Sequence, residues 1–308
     1  MIESILITGA NIGLGKETAR QLALKQETKK VILFCRNQAK AEAAKKDLEE
    51  QTGKKIFEII IGDVTDANSV RKAVEKIIEP IDAVILNAGG MVGKTAAVIT
   101  SSGMNVLAAT NILGHVILVD ELIKHDKLRK AVLYPSAEAV PGVKMLGMKP
   151  VSMKTSSVDE FAAVLDGTYF GNKFDVTQAY GYVKYVATMW MLSMARKYPD
   201  LKFVAMSPGS TSGTQGPENF PPIMRFVMRY FMMPVVFPLM GEMVHKLDVG
   251  AKRFVDGISD EQYKSGVFYA SKEGKLSGDM VDQSSFFTPL KNTAFQDNAD
   301  KAIQRFKK

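Results

Sequence analysis

Six short apolar runs, "ILIT", "VILFC", "FEIII", "AVILN", "AVLYP" and "FVAMS", recur between residues 5 and 207, and most of the segments between them have helical pattern or composition. A strand followed by a helix, repeated, has few ways to bury both kinds of apolar surface. The pattern predicts an α/β fold: a doubly wound, Rossmann-type parallel sheet with helices on both faces. Ligands in such sheets bind beyond the carboxyl ends of the strands, so the residues just after each run are the candidates for a site.

After the first run, Gly9, Gly13 and Gly15 lie in "ITGANIGLG", just before the helix-like "KETARQLALK", which sets Ala19, Leu22 and Leu24 near one face. A strand-to-helix turn of this kind aims backbone N–H groups and the positive end of the helix dipole at one point, and the missing side chains let a phosphate approach. A tight turn alone would use the same glycines. Arg36 follows the second run, where a dinucleotide-binding fold meets the adenosine ribose. A guanidinium there suits a 2'-phosphate, which favours NADP as the cofactor. Asp63, after the third run, is either an acceptor for an adenine amino group or a turn or helix cap.

Composition narrows the rest. The 308 residues are 46% hydrophobic and 24% charged, with no linker-like stretch, which predicts one domain over 1–308. A single cysteine, Cys35, and three scattered histidines exclude a disulfide framework and a Cys-rich metal site, so no metal is expected. Cysteine usage and the absence of a signal-peptide pattern in "MIESILITG" favour a cytoplasmic protein. The excess of seven positive charges is interspersed with acidic residues, as in "NQAKAEAAKKDLEEQ", and reads as solvated helix faces rather than a nucleic-acid surface. "YFMMPVVFPLMG" at 230–241 is short and carries Pro234 and Pro238, so no transmembrane segment is expected.

Six motifs in order make a larger pattern: "TGANIGLG" (8–15), "NAG" (87–89), Asn111 in "TNILGH", Ser136 in "YPSAEAVPG", "YGYVK" (180–184) and "SPG" (207–209). In order and spacing they resemble the short-chain dehydrogenase/reductase family from residue 4 to about 270. "CRNQAKAEAA" and "SSGMNVLAATNILGH" are similar to the branch that contains retinol dehydrogenases and light-dependent protochlorophyllide reductases. The resemblance implies a catalytic set of Asn111, Ser136, Tyr180 and Lys184. It also implies cofactor contacts from Gly9, Asn11, Ile12, Gly13, Leu14 and Gly15, from Arg36, Asn37, Asp63 and Val64, from Asn87, Ala88 and Gly89, and from Tyr180, Lys184, Pro208, Gly209 and Thr211.

The chemistry also follows from the side chains. Moving a hydride to or from a carbonyl carbon requires a proton at the oxygen, and a tyrosine can supply it if its pKa falls from about 10 toward neutrality. Lys184, four residues after Tyr180, shares its helical face, and an ammonium there favours the phenolate. Ser136 would hydrogen-bond the substrate oxygen and Asn111 would anchor a water leading to solvent, and the resemblance implies that Lys184 also holds the nicotinamide ribose. An ordinary amphipathic helix would explain a Tyr/Lys pair alone. His115 reads as a packed helix residue, not a catalyst.

Two departures stand out. The family's pyrophosphate threonine falls at Gly213, between Ser212 and Thr214, and Ser136 and Tyr180 stand 44 positions apart, far more than in simpler members. The intervening 137–179 is expected to be an excursion with short helices over the active-site edge. A second insertion, 216–245, holds six of the seventeen methionines, with Met224, Met228 and Met232 at helical spacing. A lid over a lipophilic substrate, a contact with a second copy of the chain and a peripheral membrane patch all fit such a stripe.

Three rival readings have specific residues behind them. "AGGMVGKT" (88–95) nearly matches a phosphate-binding P-loop but has Ala88 at the first glycine position. A non-catalytic NADP-binding regulator would not need Ser136, Tyr180 and Lys184. A protochlorophyllide-reductase-like reduction of a ring C=C bond is the enzymatic alternative, although the lone cysteine lies at the cofactor end.

Overall fold

The computed structural model describes residues 1–144, 147–212, 230 and 244–307. All six apolar runs form strands: β1 (Ser4–Thr8), β2 (Lys30–Cys35), β3 (Phe57–Ile61), β4 (Ile81–Ile85), β5 (Leu128–Pro135) and β6 (Lys202–Met206). Two further strands, β7 (Val267–Ser271) and β8 (Met280–Asp282), complete an eight-stranded sheet of order β3-β2-β1-β4-β5-β6-β7-β8. Only the β7–β8 pairing is antiparallel. The strand order reverses between β1 and β4, which opens a crevice beyond their carboxyl ends.

Both faces of the sheet are buried, which is why the strands are near-continuous apolar runs. Leu6, Ile32, Phe34 and Val84 pack on one side, and Ile5, Ile7, Val31 and Leu33 on the other. The first face carries the helices Val106–Lys124 and Val176–Lys197, and the second carries α1 (Gly13–Ala23) and the helix Leu247–Ser259. On the outer side of β2 and β3 runs α2 (Gln38–Thr52), and α3 (Ala67–Glu75) packs beside Val106–Lys124.

The helix Val106–Lys124 is long and apolar enough to cross a membrane, with a mean hydropathy of 1.7, but 72% of it is buried inside this fold. Its apolar character is that of a core helix. The excursion 137–179 carries the helix Val158–Asp166, whose Phe161, Val164 and Leu165 are fully buried against the C-terminal helix Thr293–Gln304 and the Val176–Lys197 helix. It is therefore part of the core as well as an excursion. The near P-loop does not lead into an α-helix: its own last three residues, Gly93–Thr95, form a 3-10 turn, and the next helix begins only at Val106. That removes the helix N-terminus on which a P-loop depends. The methionine-rich insertion lies outside the described residues except at 230, 244 and 245.

Gly114 shows how tightly the central helix is seated: a Cβ there would lie 2.1 Å from the Val64 carbonyl oxygen. Both parties are backbone, so neither can swing aside. Gly114→Ala is expected to destabilise the chain by about 1–3 kcal/mol, read from the urea midpoint; an unchanged midpoint would contradict this packing.

Candidate active site

The expected site residues all gather along the carboxyl edge of β1 to β6. In the glycine turn, Gly9 and Gly13 have φ of 67° and 57°. Gly13 faces open space, whereas a Cβ on Gly15 would lie 2.4 Å from Asn87 Nδ2 and 2.6 Å from the Gly9 carbonyl oxygen. One glycine leaves room at the mouth, and the other lets the helix close on the sheet. Ile12, the residue at the helix cap, supplies no side-chain hydrogen bond, and the first turn has no acidic residue. The positive end of α1 is thus presented through Gly13 and Leu14 with no carboxylate of its own beside it. These features fit a dinucleotide's phosphates.

After β2, Arg36 is 76% exposed in its side chain and 3.7 Å from Asp63 Oδ2. The other Asp63 oxygen accepts from the backbone N–H and hydroxyl of Thr65, so Asp63 closes a turn. The cap of α3 is Asp66 instead. Asn37 caps α2, accepting from the Lys40 N–H. Cys35 is buried below Ala10 and Asn11, and burial pushes its thiol up to about 11.

The centre is bound together by a chain of hydrogen bonds. Asn87 Nδ2 donates to the Thr8 carbonyl, and the Ala88 N–H to the Thr8 hydroxyl at 2.8 Å. The hydroxyl lies 3.1 Å from His115 Nε2, and His115 Nδ1 lies 3.1 Å from the Asn111 carbonyl. A carbonyl can only accept, so the imidazole proton is on Nδ1 and Nε2 accepts from Thr8. His115 is fully packed, as expected, and burial pushes its pKa down to about 3.

Asn111 sits in a π-helical turn, Ala109–Leu113, a distortion common at functional sites. Its amide donates to the Gly90 and Leu107 carbonyls and accepts from the Gly90 N–H. The side-chain amide of Asn111 thus holds the loop after β4 and the kink of the helix.

Ser136 and Lys184 are buried, and Tyr180 is half-buried at the start of the same helix as Lys184. The Thr188 hydroxyl donates to the Lys184 carbonyl, so the Ser136 hydroxyl, 2.7 Å away, is the donor to Thr188. Lys184 Nζ is 5.5 Å from the centre of the Tyr180 ring, and burial pushes its pKa down to about 7. Burial, with the Glu138 charge second, pushes Tyr180 up.

The sequence did not announce a charged cluster beneath "SPG". Glu138 accepts from the Ser207 and Ser271 hydroxyls and lies 3.8 Å from Arg253 Nη1. Arg253 donates to the carbonyls of Ser207 and Gly278 and to Ser271. Both charges are over nine-tenths buried. They tie the loops after β5, β6 and β7 to the helix Leu247–Ser259. Pro208 accepts from His245, and the Thr211 hydroxyl reaches the carbonyls of Pro208 and Gly209, closing the turn. Ser212 donates to the His245 carbonyl, while Thr214 lies outside the described residues. Thr188 could have been found, since it continues the Tyr180 and Lys184 face by one helical turn; Glu138 and Arg253, remote in sequence, could not.

A crevice at the strand-order reversal and a phosphate-ready turn fit a nucleotide-binding protein of the doubly wound class. The family model for short chain dehydrogenase matches residues 3–132. Dehydrogenase/reductase SDR family member 12 of Bos taurus is 30% identical over 213 residues, covering 67% of this chain and 60% of its own. Human retinol dehydrogenase 13 is 35% identical over 130 residues, covering 41% and 38%. The chloroplastic protochlorophyllide reductase of Daucus carota is 28% identical over 305 residues, covering 91% and 74%. The chain thus spans less than two thirds of the first two relatives. It belongs to the short-chain dehydrogenase/reductase family, in the branch of the retinol dehydrogenases and protochlorophyllide reductases.

Two outcomes follow from the buried groups. Glu138→Ala leaves the Arg253 charge without its carboxylate and is expected to cost about 3–5 kcal/mol in chemical denaturation; a loss below about 1 kcal/mol would mean the pair is not desolvated. His115, at about 3 when folded and 6.5 when unfolded, takes up a proton on unfolding between those values, so its contribution is lost as pH falls. The wild type should lose more urea stability than His115→Asn between about pH 7 and about pH 5; equal losses would contradict a buried neutral imidazole.

Proposed function

We propose that the protein is an NADP(H)-dependent oxidoreductase acting on a carbonyl or alcohol group of a lipophilic small molecule, with Tyr180 as proton donor and acceptor. The observation that carries the reading is the buried Lys184 ammonium beside the Tyr180 ring, one helical turn apart on one helix. The nicotinamide cofactor, when bound, supplies or takes up the hydride.

The chain's own residues do the rest. The glycine turn and the start of α1 receive the phosphates, and Asn87, Ala88 and Gly89 form the crevice wall held in place by Asn111 and Thr8. Asp63 and Val64 border the adenine end, and Pro208, Gly209 and Thr211 border the nicotinamide end. Arg36, exposed and only loosely held by Asp63, is available for a 2'-phosphate. In reduction the Tyr180 hydroxyl gives its proton to the substrate oxygen, and in oxidation it takes the proton back. The Lys184 ammonium favours the phenolate and so lowers the cost of that step. Ser136 turns its hydroxyl from Thr188 to the substrate oxygen. The lipophilic class of substrate is supported by the sequence of 216–245, whose six methionines are flexible, polarisable side chains that suit a bulky apolar ligand. The length matched by protochlorophyllide reductase, 91% of this chain, favours a second reading, reduction of a conjugated C=C bond.

Tyr180→Phe is expected to lower turnover of hydrophobic aldehydes and ketones by about a hundred- to ten-thousand-fold, with NADPH affinity close to wild type. Full activity in this variant would exclude Tyr180 as the donor. Including a conjugated enone in the panel separates the two readings by the position of the new hydrogen. Arg36→Ala should erase the preference for NADPH over NADH in fluorescence titration; a preference that survives would contradict the assigned phosphate contact.

A further inference from the structure

Lys184 is held more closely by a second tyrosine than by Tyr180. Its Nζ donates to the Tyr134 hydroxyl at 3.1 Å and to the Pro135 carbonyl at 2.8 Å. It stands 4.6 Å from the centre of the Tyr134 ring, against 5.5 Å for Tyr180. Tyr134 is fully buried on β5, two residues before Ser136. The His115 ring packs edge-on against it, with centroids 6.2 Å apart and planes at 74°. His115 is itself fixed through Thr8 and the Asn111 carbonyl.

An ammonium stripped of water must find acceptors inside the protein or give up its proton. We propose that Tyr134 is a positioning residue for the reaction: its hydroxyl oxygen and ring face hold the Lys184 ammonium in place, and in its charged form, beside Tyr180. The inference rests on the reading of Tyr180 and Lys184 as the proton-transfer pair. Four titratable groups face this ammonium or its partner: Tyr180 on the same helix, Tyr134 on β5, His115 on the helix Val106–Lys124, and Glu138 in the loop after β5, whose charge reaches Tyr180. His115 is neutral, and Glu138 is matched by Arg253. Burial, with Tyr180 second, pushes the Tyr134 hydroxyl well up, so it stays a neutral phenol. Lone pairs and ring quadrupole, rather than a counter-charge, therefore support the cation.

The test is a titration of the cofactor-free protein carrying lysines labelled with carbon-13 at Cε, followed by NMR. Lys184 is the signal lost in Lys184→Met. In Tyr134→Phe, which keeps the ring and removes the acceptor, its midpoint should fall by about one to two pH units, as expected for one hydrogen bond to a charged group. In parallel, the midpoint of the alcohol-oxidation profile with a long-chain primary alcohol should rise by a similar amount, because a less persistent ammonium supports the Tyr180 phenolate less. Tyr134→Met, whose adaptable side chain fills the space without a hydroxyl, repeats both measurements should the Phe variant be insoluble. An unchanged Lys184 midpoint in a folded variant overturns the inference, as does a profile that loses amplitude without shifting. The lysine titration needs no turnover, so it is decided independently of Tyr180→Phe: an active Tyr180→Phe enzyme would remove the proton-transfer reading and leave the Lys184 midpoint as its own result.

Discussion

Burying one ammonium organises this molecule's centre. Lys184 lies away from water on a helix packed into the larger core, and desolvation alone would drive off its proton. The surroundings answer that cost with the Pro135 carbonyl, the Tyr134 hydroxyl and two aromatic faces. Those groups come from β5 and from the helix of Lys184 itself, so the register of one strand against one helix fixes the charge. Ser136 and Thr188 then fall beside it, linked to the Lys184 carbonyl by a short hydrogen-bond chain.

A second hydrogen-bonded unit adjoins the first, with His115 packed edge-on against Tyr134. Thr8, Ala88, His115 and Asn111 stitch the ends of β1 and β4 to the central helix through donors and acceptors that each have one consistent assignment. The Glu138–Arg253 cluster does the same for the loops after β5, β6 and β7. Fully satisfied polar networks of this kind fix geometry where apolar packing alone would leave latitude. The crevice is thus walled by hydrogen-bonded frames.

Much of this was legible in the chain. Six β-rich runs became six parallel strands because strands buried on both faces must be continuously apolar, and the glycine turn fell where the first strand meets the first helix. The Tyr180–Lys184 spacing placed both on one helix. Less was visible where partners are remote in sequence. Arg253 meets Glu138 only after the sheet has formed, and nothing near Tyr134 marks it as other than a strand residue. Asn111 was found as a residue, but its partners depend on a π turn that no spacing rule foretells. Asp63 left two readings open, and the Thr65 hydrogen bonds favour the turn.

Carbonyl reduction at this site requires hydride and proton to reach one C=O group. The most direct measurement is to incubate the protein with NADPH deuterated at the transferable C4 position and a panel of hydrophobic aldehydes and ketones, and to examine the products by mass spectrometry. The account predicts a product alcohol carrying a single deuterium on the former carbonyl carbon. Tight NADPH binding with no deuterium in any product across the panel would contradict it and leave a cofactor-binding protein in place of a carbonyl reductase.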